Sequence, residues 1–324
     1  MTATLSPSVA RHGRAPSFAI SSATGGIAAG LFAALVWSTF MLFAKAGTTG
    51  GLLPQDFVLL RFGTAALIML PWLLRHDPLR LGGIGWRRAG LLTLLAGPSF
   101  ILLGTGGYLY APLAHGAVIQ PSTIALASML TGAVLLREHI TGARLVGIAL
   151  IVGGLALIAG HADEMGGGMV WIGDLMFIAA GLSWTGFTIL IKRWELDPLA
   201  VTAAISMLSA LAVVPAMLVA GDFHRLAALA PGTLAAQVVV QGAAAGVIAV
   251  IAFGIAVRRL GAGRAGLFPA IVPALTLVLG SAWSGTLPQV FEIAGAALAS
   301  LGLLVAVGLH RPAPASSAAE GTAQ

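Results

Sequence analysis

The sequence predicts an all-α polytopic membrane protein whose ten transmembrane helices form two inverted five-helix repeats. Three observations lead there: the apolarity of the chain, a constant internal offset between its halves, and the side on which its short loops carry Lys and Arg. Of the 324 residues, 58% are hydrophobic and only 9% charged, and the mean hydropathy is +0.98. A soluble domain carries about a quarter charged residues to cover its surface. Apolar runs of roughly 20 residues, enough to cross a ~30 Å hydrocarbon core, recur from end to end. They are unbroken, whereas barrel strands would alternate polar and apolar residues, so the spans are read as helices.

The offset appears first in Ala34–Lys45 and Ala180–Lys192: Trp37 matches Trp184, Phe40 matches Phe187 and Lys45 matches Lys192, all 147 residues apart. Further on, Pro121 matches Pro269 and Gly147 matches Gly295 at an offset of 148. A shared register over more than a hundred residues marks a duplication.

Taken in order, residues 1–25 read as a disordered cytoplasmic tail, since Arg11 and Arg14 are followed by no short apolar core with a cleavage site. Spans are expected near 26–45, 57–74, 89–110, 116–136 and 143–160 in a first repeat, 26–160. A second repeat, 171–309, holds spans near 172–192, 199–220, 234–256, 265–285 and 291–309. Residues 310–324, rich in Ala, Ser and Pro, read as a second disordered cytoplasmic tail. With the N-terminus inside, the cytoplasmic segments receive Arg11, Arg14, Arg75, Arg80, Arg87, Arg88, Arg137, Arg144, Lys192, Arg193, Arg258, Arg259, Arg264 and Arg311. The other side receives Lys45 and Arg225, and Arg61 lies inside a span. This satisfies the positive-inside rule and places both termini in the cytoplasm, in a cell (inner) membrane. Five spans per copy invert the second copy relative to the first, the construction of many secondary transporters. The basic loops, and with them the pI near 11.0, are accounted for by topology and lipid headgroups, without nucleic acid. The chain has no cysteine, so neither a disulfide framework nor thiolate chemistry enters.

An ordered set of short features carries a resemblance. These are an opening helix Gly30–Lys45 with a central Trp, Leu60-Arg61-Phe62 early in the second span, Leu135–Thr141 closing the fourth, and Gly147–Gly154 in the fifth. Gly173-Asp174-Leu175 opens the second copy, and Ala262–Phe268 leads toward Pro273 in the ninth span. Over residues 26–309 the chain resembles the EamA-type exporters of the drug/metabolite transporter superfamily. The resemblance implies a secondary transporter, not an enzyme, working by alternating access with no cofactor. It also implies a central cavity lined by the first, third and fourth spans and their partners, the sixth, eighth and ninth. The pattern departs where the family's usual Gly-Glu closing the fourth span is Arg137-Glu138, and where the second copy has Gly285-Thr286.

Candidate site residues have two readings each. Trp37, Tyr108, Gln120, Trp184 and Gln241 combine depth with an aromatic face or an amide and are the candidate substrate-binding residues; the alternative is helix packing and interhelical hydrogen bonding. Gln237 and Gln241, four apart, share a helix face. Arg61 and Glu138 are candidate gating or structural charges, with Arg61 pairing with Asp56 or carbonyls, snorkelling outward, or meeting substrate. Trp72, Trp86, Trp171 and Trp283 read as interfacial anchors. Gly26-x-x-x-Gly30 and Gly242-x-x-x-Gly246 have the spacing of close helix contacts.

Asp174, Glu138 and Glu292 sit near span ends and no acid is central, so a neutral or zwitterionic metabolite, an amino acid or related compound, is the expected exported substrate, bound with little dependence on pH. The partners are that small molecule and membrane lipids; a proton or other coupling ion, and a monomer or homodimer, both stay open. The alternative function is a membrane-embedded enzyme of lipid or peptide metabolism. The seven histidines fall in loops, tails or span edges, and neither a catalytic cluster nor a metal-binding spacing is apparent.

Overall fold

A computed structural model describes residues 22–135, 141–161, 168–220, 223–260, 265 and 267–308. Both predicted tails lie largely outside these, although the first helix begins at Ser22, four residues before the expected span. The ten long helices are α1 Ser22–Thr49, α2 Pro54–Arg75, α3 Trp86–Leu109, α4 Leu113–Leu135, α5 Gly142–Ala159, α6 Val170–Trp194, α7 Pro198–Ala220, α8 Pro231–Leu260, α9 Pro269–Ser284 and α10 Val290–Gly308. Of these, α1 to α8 are long and apolar enough to cross a membrane, and α9 and α10 contain shorter apolar helices. Below, the near end is the one at which α1 starts, and the far end the one at which it finishes.

Local chemistry sets the boundaries. After α1, Gly51 takes φ +92°, a conformation that L side chains resist. Pro54 then opens α2, where its missing N–H costs nothing, and the Asp56 carboxylate accepts from the Leu53 N–H at 2.8 Å. Within α3 the helix breaks at Gly97, whose non-helical backbone (φ −90°, ψ −134°) precedes Pro98; the proline ring disfavours helical geometry in the residue before it. In α8 the hydrogen bonding widens to π turns over Val238–Ile248, a feature that recurs at functional sites.

The helix contacts have the symmetry that the offset predicts. Along α5, Gly147 faces Gly302 of α10 and Gly154 faces Gly295, so closely that a Cβ on Gly147 would stand 2.8 Å from the Gly302 carbonyl oxygen and one on Gly154 2.6 Å from that of Gly295. Residue numbers rise along one helix as they fall along the other, so the pair is antiparallel. Adding 148 carries Gly147 to Gly295 and Gly154 to Gly302, exchanging the two contacts. The axis that relates the halves therefore runs perpendicular to these helices, in the plane of the membrane, and the repeats are inverted.

The same operation links two hydrogen bonds elsewhere. The Ser38 hydroxyl meets the Val272 carbonyl at 3.4 Å and the Thr185 hydroxyl meets the Ile124 carbonyl at 3.5 Å, and 38 and 185, like 124 and 272, are repeat-related. Thus α1 packs on α9 as α6 packs on α4, and α1 on α8 as α6 on α3. Small residues permit this approach. A Cβ on Gly30 would fall 2.2 Å from the Phe268 ring and one on Gly26 2.7 Å from Leu260 Cγ, both at the near end. Large apolar side chains such as Leu67, Leu94, Leu218 and Val278 are left on the outside, where lipid would cover them. Trp86, Trp171 and Trp283 are exposed near helix ends, while Trp72 is half-buried and stacks on His76 at 4.3 Å.

Candidate functional site

The π turns of α8 carry one polar cluster. Gln241 is fully buried, and its Nε2 donates to Gln237 Oε1 at 3.2 Å, while Gln237 Nε2 donates to the Phe43 carbonyl of α1 at 3.0 Å. The four-residue spacing thus places both amides on one face, and Gln241 Oε1 remains without a partner among the described residues. One turn on, the Ala245 carbonyl accepts from Arg61 Nη2 at 3.2 Å, and the guanidinium lies 5.3 Å from the Phe40 ring centroid and 6.0 Å from that of Phe62. Arg61 therefore ties α2 to α8 and α1. It does not meet Asp56, whose carboxylate is held by Arg225 through Nε at 2.8 Å and Nη2 at 3.2 Å.

The other described candidates lie in three separate places. Trp37 is half-buried in the α1–α8 contact, 5.2 Å from Phe253. Trp184 lies 4.9 Å from Phe100 and 5.0 Å from Phe187, between α6 and α3. Gln120 of α4 is close by: its backbone oxygen lies against Gly181, one turn before Trp184, and its amide lies beside Gly104 of α3. That amide makes no hydrogen bond among the described residues, although Gln120 is only 6% exposed. Tyr108 sits at the far end, packed 4.9 Å from Phe177 with its hydroxyl buried and unpartnered. Glu138 lies outside the described residues.

Two charged features at the far end were not legible as such in the sequence. The first is a cavity of about 450 Å³ between α1, α4, α9 and α10, lined by Lys45, Thr49, Ser281, Ser284, Thr286 and Glu292 among others. Lys45, expected at the end of the first span, lies within α1; its Nζ donates to the Tyr108 and Ala111 carbonyls at 3.0 Å each and pairs with no carboxylate among the described residues. Glu292 accepts from the Gln289 N–H at 2.8 Å and keeps its other oxygen available.

The second is an ion-pair site. His115 is completely buried on the first turn of α4, and its Nδ1 lies 2.7 Å from Asp174 Oδ1 of α6. His115 does lie at a span edge, as expected, but the helix starts earlier than predicted, at Leu113, and the residue is buried. Spacing could not reveal a pair 59 residues apart. Among the described residues no three His, Asp or Glu are placed to hold a metal ion.

Two stretches, residues 24–160 and 171–308, match the EamA-like transporter family. The chain belongs to that family. This EamA protein is 25% identical over 273 residues to a Bacillus subtilis (strain 168) protein named "Uncharacterized transporter YyaM", covering 82% of the present chain and 88% of the relative. A solved structure titled "Crystal structure of protein" shares its fold at TM-score 0.63 and 20% identity, covering 88% of this chain and 97% of the other. The protein is a multi-pass membrane transporter.

Proposed function

We propose that this EamA protein exports a small zwitterionic metabolite, an amino acid or related compound, across the cell (inner) membrane by alternating access, with both termini cytoplasmic. One observation carries the reading: α1 is packed without room for a methyl group against Phe268 and Leu260 at the near end, while beside its last two turns a 450 Å³ cavity opens at the far end. A transporter stopped with one gate shut and the other ajar has this shape. The cavity is within the usual size of small-molecule sites, and Lys45 and Glu292 offer it one charge of each sign, as a zwitterion's carboxylate and ammonium require. The near end, at which the basic loops gather, is then the cytoplasmic side.

Thermal shifts of the purified protein test the substrate class, because a ligand that binds only the folded state raises its apparent stability. Neutral amino acids are expected to stabilise the protein, and their decarboxylated amines or deaminated acids are not; equal shifts from the amine alone would overturn the zwitterion reading. Losing one charge contact should cost at least about tenfold in affinity, or about 1.4 kcal/mol, so Lys45→Met and Glu292→Gln should each weaken binding by that much. Orientation is tested separately. With no native cysteine, Ala228→Cys should react with an impermeant maleimide on intact spheroplasts and Arg87→Cys only after lysis; the reverse pattern would invert the topology.

Gln120→Ala tests the mid-depth site. Because its amide bonds nothing in this state, truncation should leave the melting temperature within a few degrees and lower flux in proteoliposomes about tenfold. The same flux loss is expected of Trp37→Ala, normalised to folded protein. Full activity in both would remove these residues from the substrate path.

A further inference from the structure

We infer that His115 and Asp174 form the site at which the transporter binds a coupling proton. The inference rests on the transport reading above and adds an ion to it. With Asp174 ionised, Nδ1 carries the bridging hydrogen and donates it, which leaves the lone pair of Nε2 as the open position. That nitrogen is buried and has no hydrogen-bond partner among the described residues, an arrangement that costs free energy in a site with no other use for it. A proton from water adds to Nε2, the Nδ1–H···Oδ1 bond stays in place, and a neutral imidazole beside a carboxylate becomes an imidazolium–carboxylate pair. Release is the reverse, and no other bond changes. The net charge of the pair goes from −1 to zero, and a paired charge is far cheaper to bury than a lone one. The protonated pair therefore suits a closed site, and the unprotonated pair suits a wet one. This difference is what ties proton binding to the opening and closing of the far end.

The pair is not a feature of the repeat. At the repeat offsets, Asp174 corresponds to Ile27 and His115 to Gly263, so the duplication carries neither group at the related position in the other half. The position also favours coupling. Leu113 and Ala114, the two residues before His115, line the far-end cavity, and the Asp174 side chain is 16% exposed, which gives a proton a way in. The titratable groups that face this junction from the packed elements are few. Lys45 comes from α1, bonded to the Tyr108 and Ala111 carbonyls. Tyr108 comes from the end of α3, its unpartnered hydroxyl against Gly116, the residue after His115. Glu292 comes from α10 across the cavity, and His161, following α5, is stacked 4.4 Å from Phe291. The described parts of α9 carry no charge. A substrate held between Lys45 and Glu292 would lie beside the proton site, so movement of α4 against α1 would act on both. A coupling proton at this pair would make flux depend on pH, in contrast to the weak dependence expected from the lack of a central acid.

The test uses the full-length protein in nanodiscs with 13Cε1-labelled histidine. Seven histidine resonances are expected, and the one absent from His115→Gln is that of His115. Between about pH 5 and about pH 9, the range around the ordinary histidine value, it should pass through one protonation step, and Asp174→Asn should displace that step. A resonance that does not titrate overturns the proposal. Proteoliposomes supply the second arm, with labelled alanine, leucine and phenylalanine as probes. An imposed pH gradient should accelerate wild-type flux at least tenfold. His115→Gln should lose this drive while still equilibrating the same amino acids, and its melting temperature reports whether it is folded. Gradient-driven flux persisting in folded His115→Gln also overturns the proposal. If the wild type moves none of the three probes, the amino-acid reading fails instead, and the titration still decides the proton site.

Discussion

Gly154→Leu is expected to abolish folded protein, while Gly153→Leu, one residue away on the same helix, should express and purify as the wild type does. The Cβ of any residue at 154 would stand 2.6 Å from the Gly295 carbonyl oxygen and 2.9 Å from the Ala299 backbone nitrogen, and a Cβ at 153 meets nothing within 4 Å. The obstacle at 154 is backbone on a partner helix, which cannot rotate away as a side chain can. Extra methylenes in a packed interior cost about 1–3 kcal/mol when neighbours adjust; here the whole α5–α10 contact must separate, so the loss should exceed that range. In a membrane the contact also has no substitute drive, because lipid tails are as apolar as the helix faces and association depends on close packing. Fluorescence-detected size exclusion of the two variants measures the difference directly. Equal yields of monodisperse protein would show that the two helices do not rely on this crossing. The two-fold relation predicts in addition that Gly302→Leu, whose Cβ would lie 2.6 Å from the Gly147 carbonyl oxygen, fails as Gly154→Leu does.

The glycines show what a sequence can and cannot carry. Gly147 and Gly295 were legible as repeat partners because an offset is a property of order along the chain. The inversion followed from an odd number of spans, and the helix contacts obey it. What the offset could not supply was which residue meets which across the axis, namely Gly147 with Gly302 and not with its own repeat partner. The same limit explains the polar pairs. Gln237 and Gln241 share a face because spacing within one helix determines direction, and they are found bonded. His115 with Asp174 and Asp56 with Arg225 are separated by 59 and 169 residues, and no local pattern links them. The break of α3 at Gly97-Pro98 follows from the proline. The π turns over Val238–Ile248 have no comparable signal, since that stretch is a plain run of small and apolar residues around one glutamine. Lys45 was read only as a charge closing the first span, whereas α1 continues to Thr49 and the lysine bonds the carbonyls of Tyr108 and Ala111, contacts that no local pattern supplies.

Asp56→Ala should destabilise the protein more than any other single charge removal at the far end, and the loss should be recovered in part by removing Arg225 as well. The Asp56 side chain is fully buried and accepts three hydrogen bonds, from the Leu53 N–H that opens α2 and from two guanidinium nitrogens of Arg225. Truncation strips the start of α2 of its cap, worth about 1 kcal/mol, and takes from Arg225, only 16% exposed, its Asp56 carboxylate. Removing one partner of a buried ion pair costs about 3–5 kcal/mol, chiefly because the other charge is stranded. In Asp56→Ala/Arg225→Met the guanidinium that faced the carboxylate is gone as well, so the double variant should be more stable than Asp56→Ala alone. Arg61 should show no such coupling to Asp56. It bonds the Ala245 carbonyl and lies over Phe40, so its removal loosens α2 from α8 without exposing the carboxylate, and the effects of Asp56→Ala and Arg61→Ala should add to within about 0.5 kcal/mol, as they do for sites that share no partner. Chemical denaturation in mild detergent, followed by tryptophan fluorescence for the wild type, the three single variants and both double variants, gives the coupling energies. Strong coupling of Asp56 to Arg61, with none to Arg225, would mean that in the membrane the carboxylate turns to the arginine on its own helix and that the α2 entry is built differently from the arrangement described.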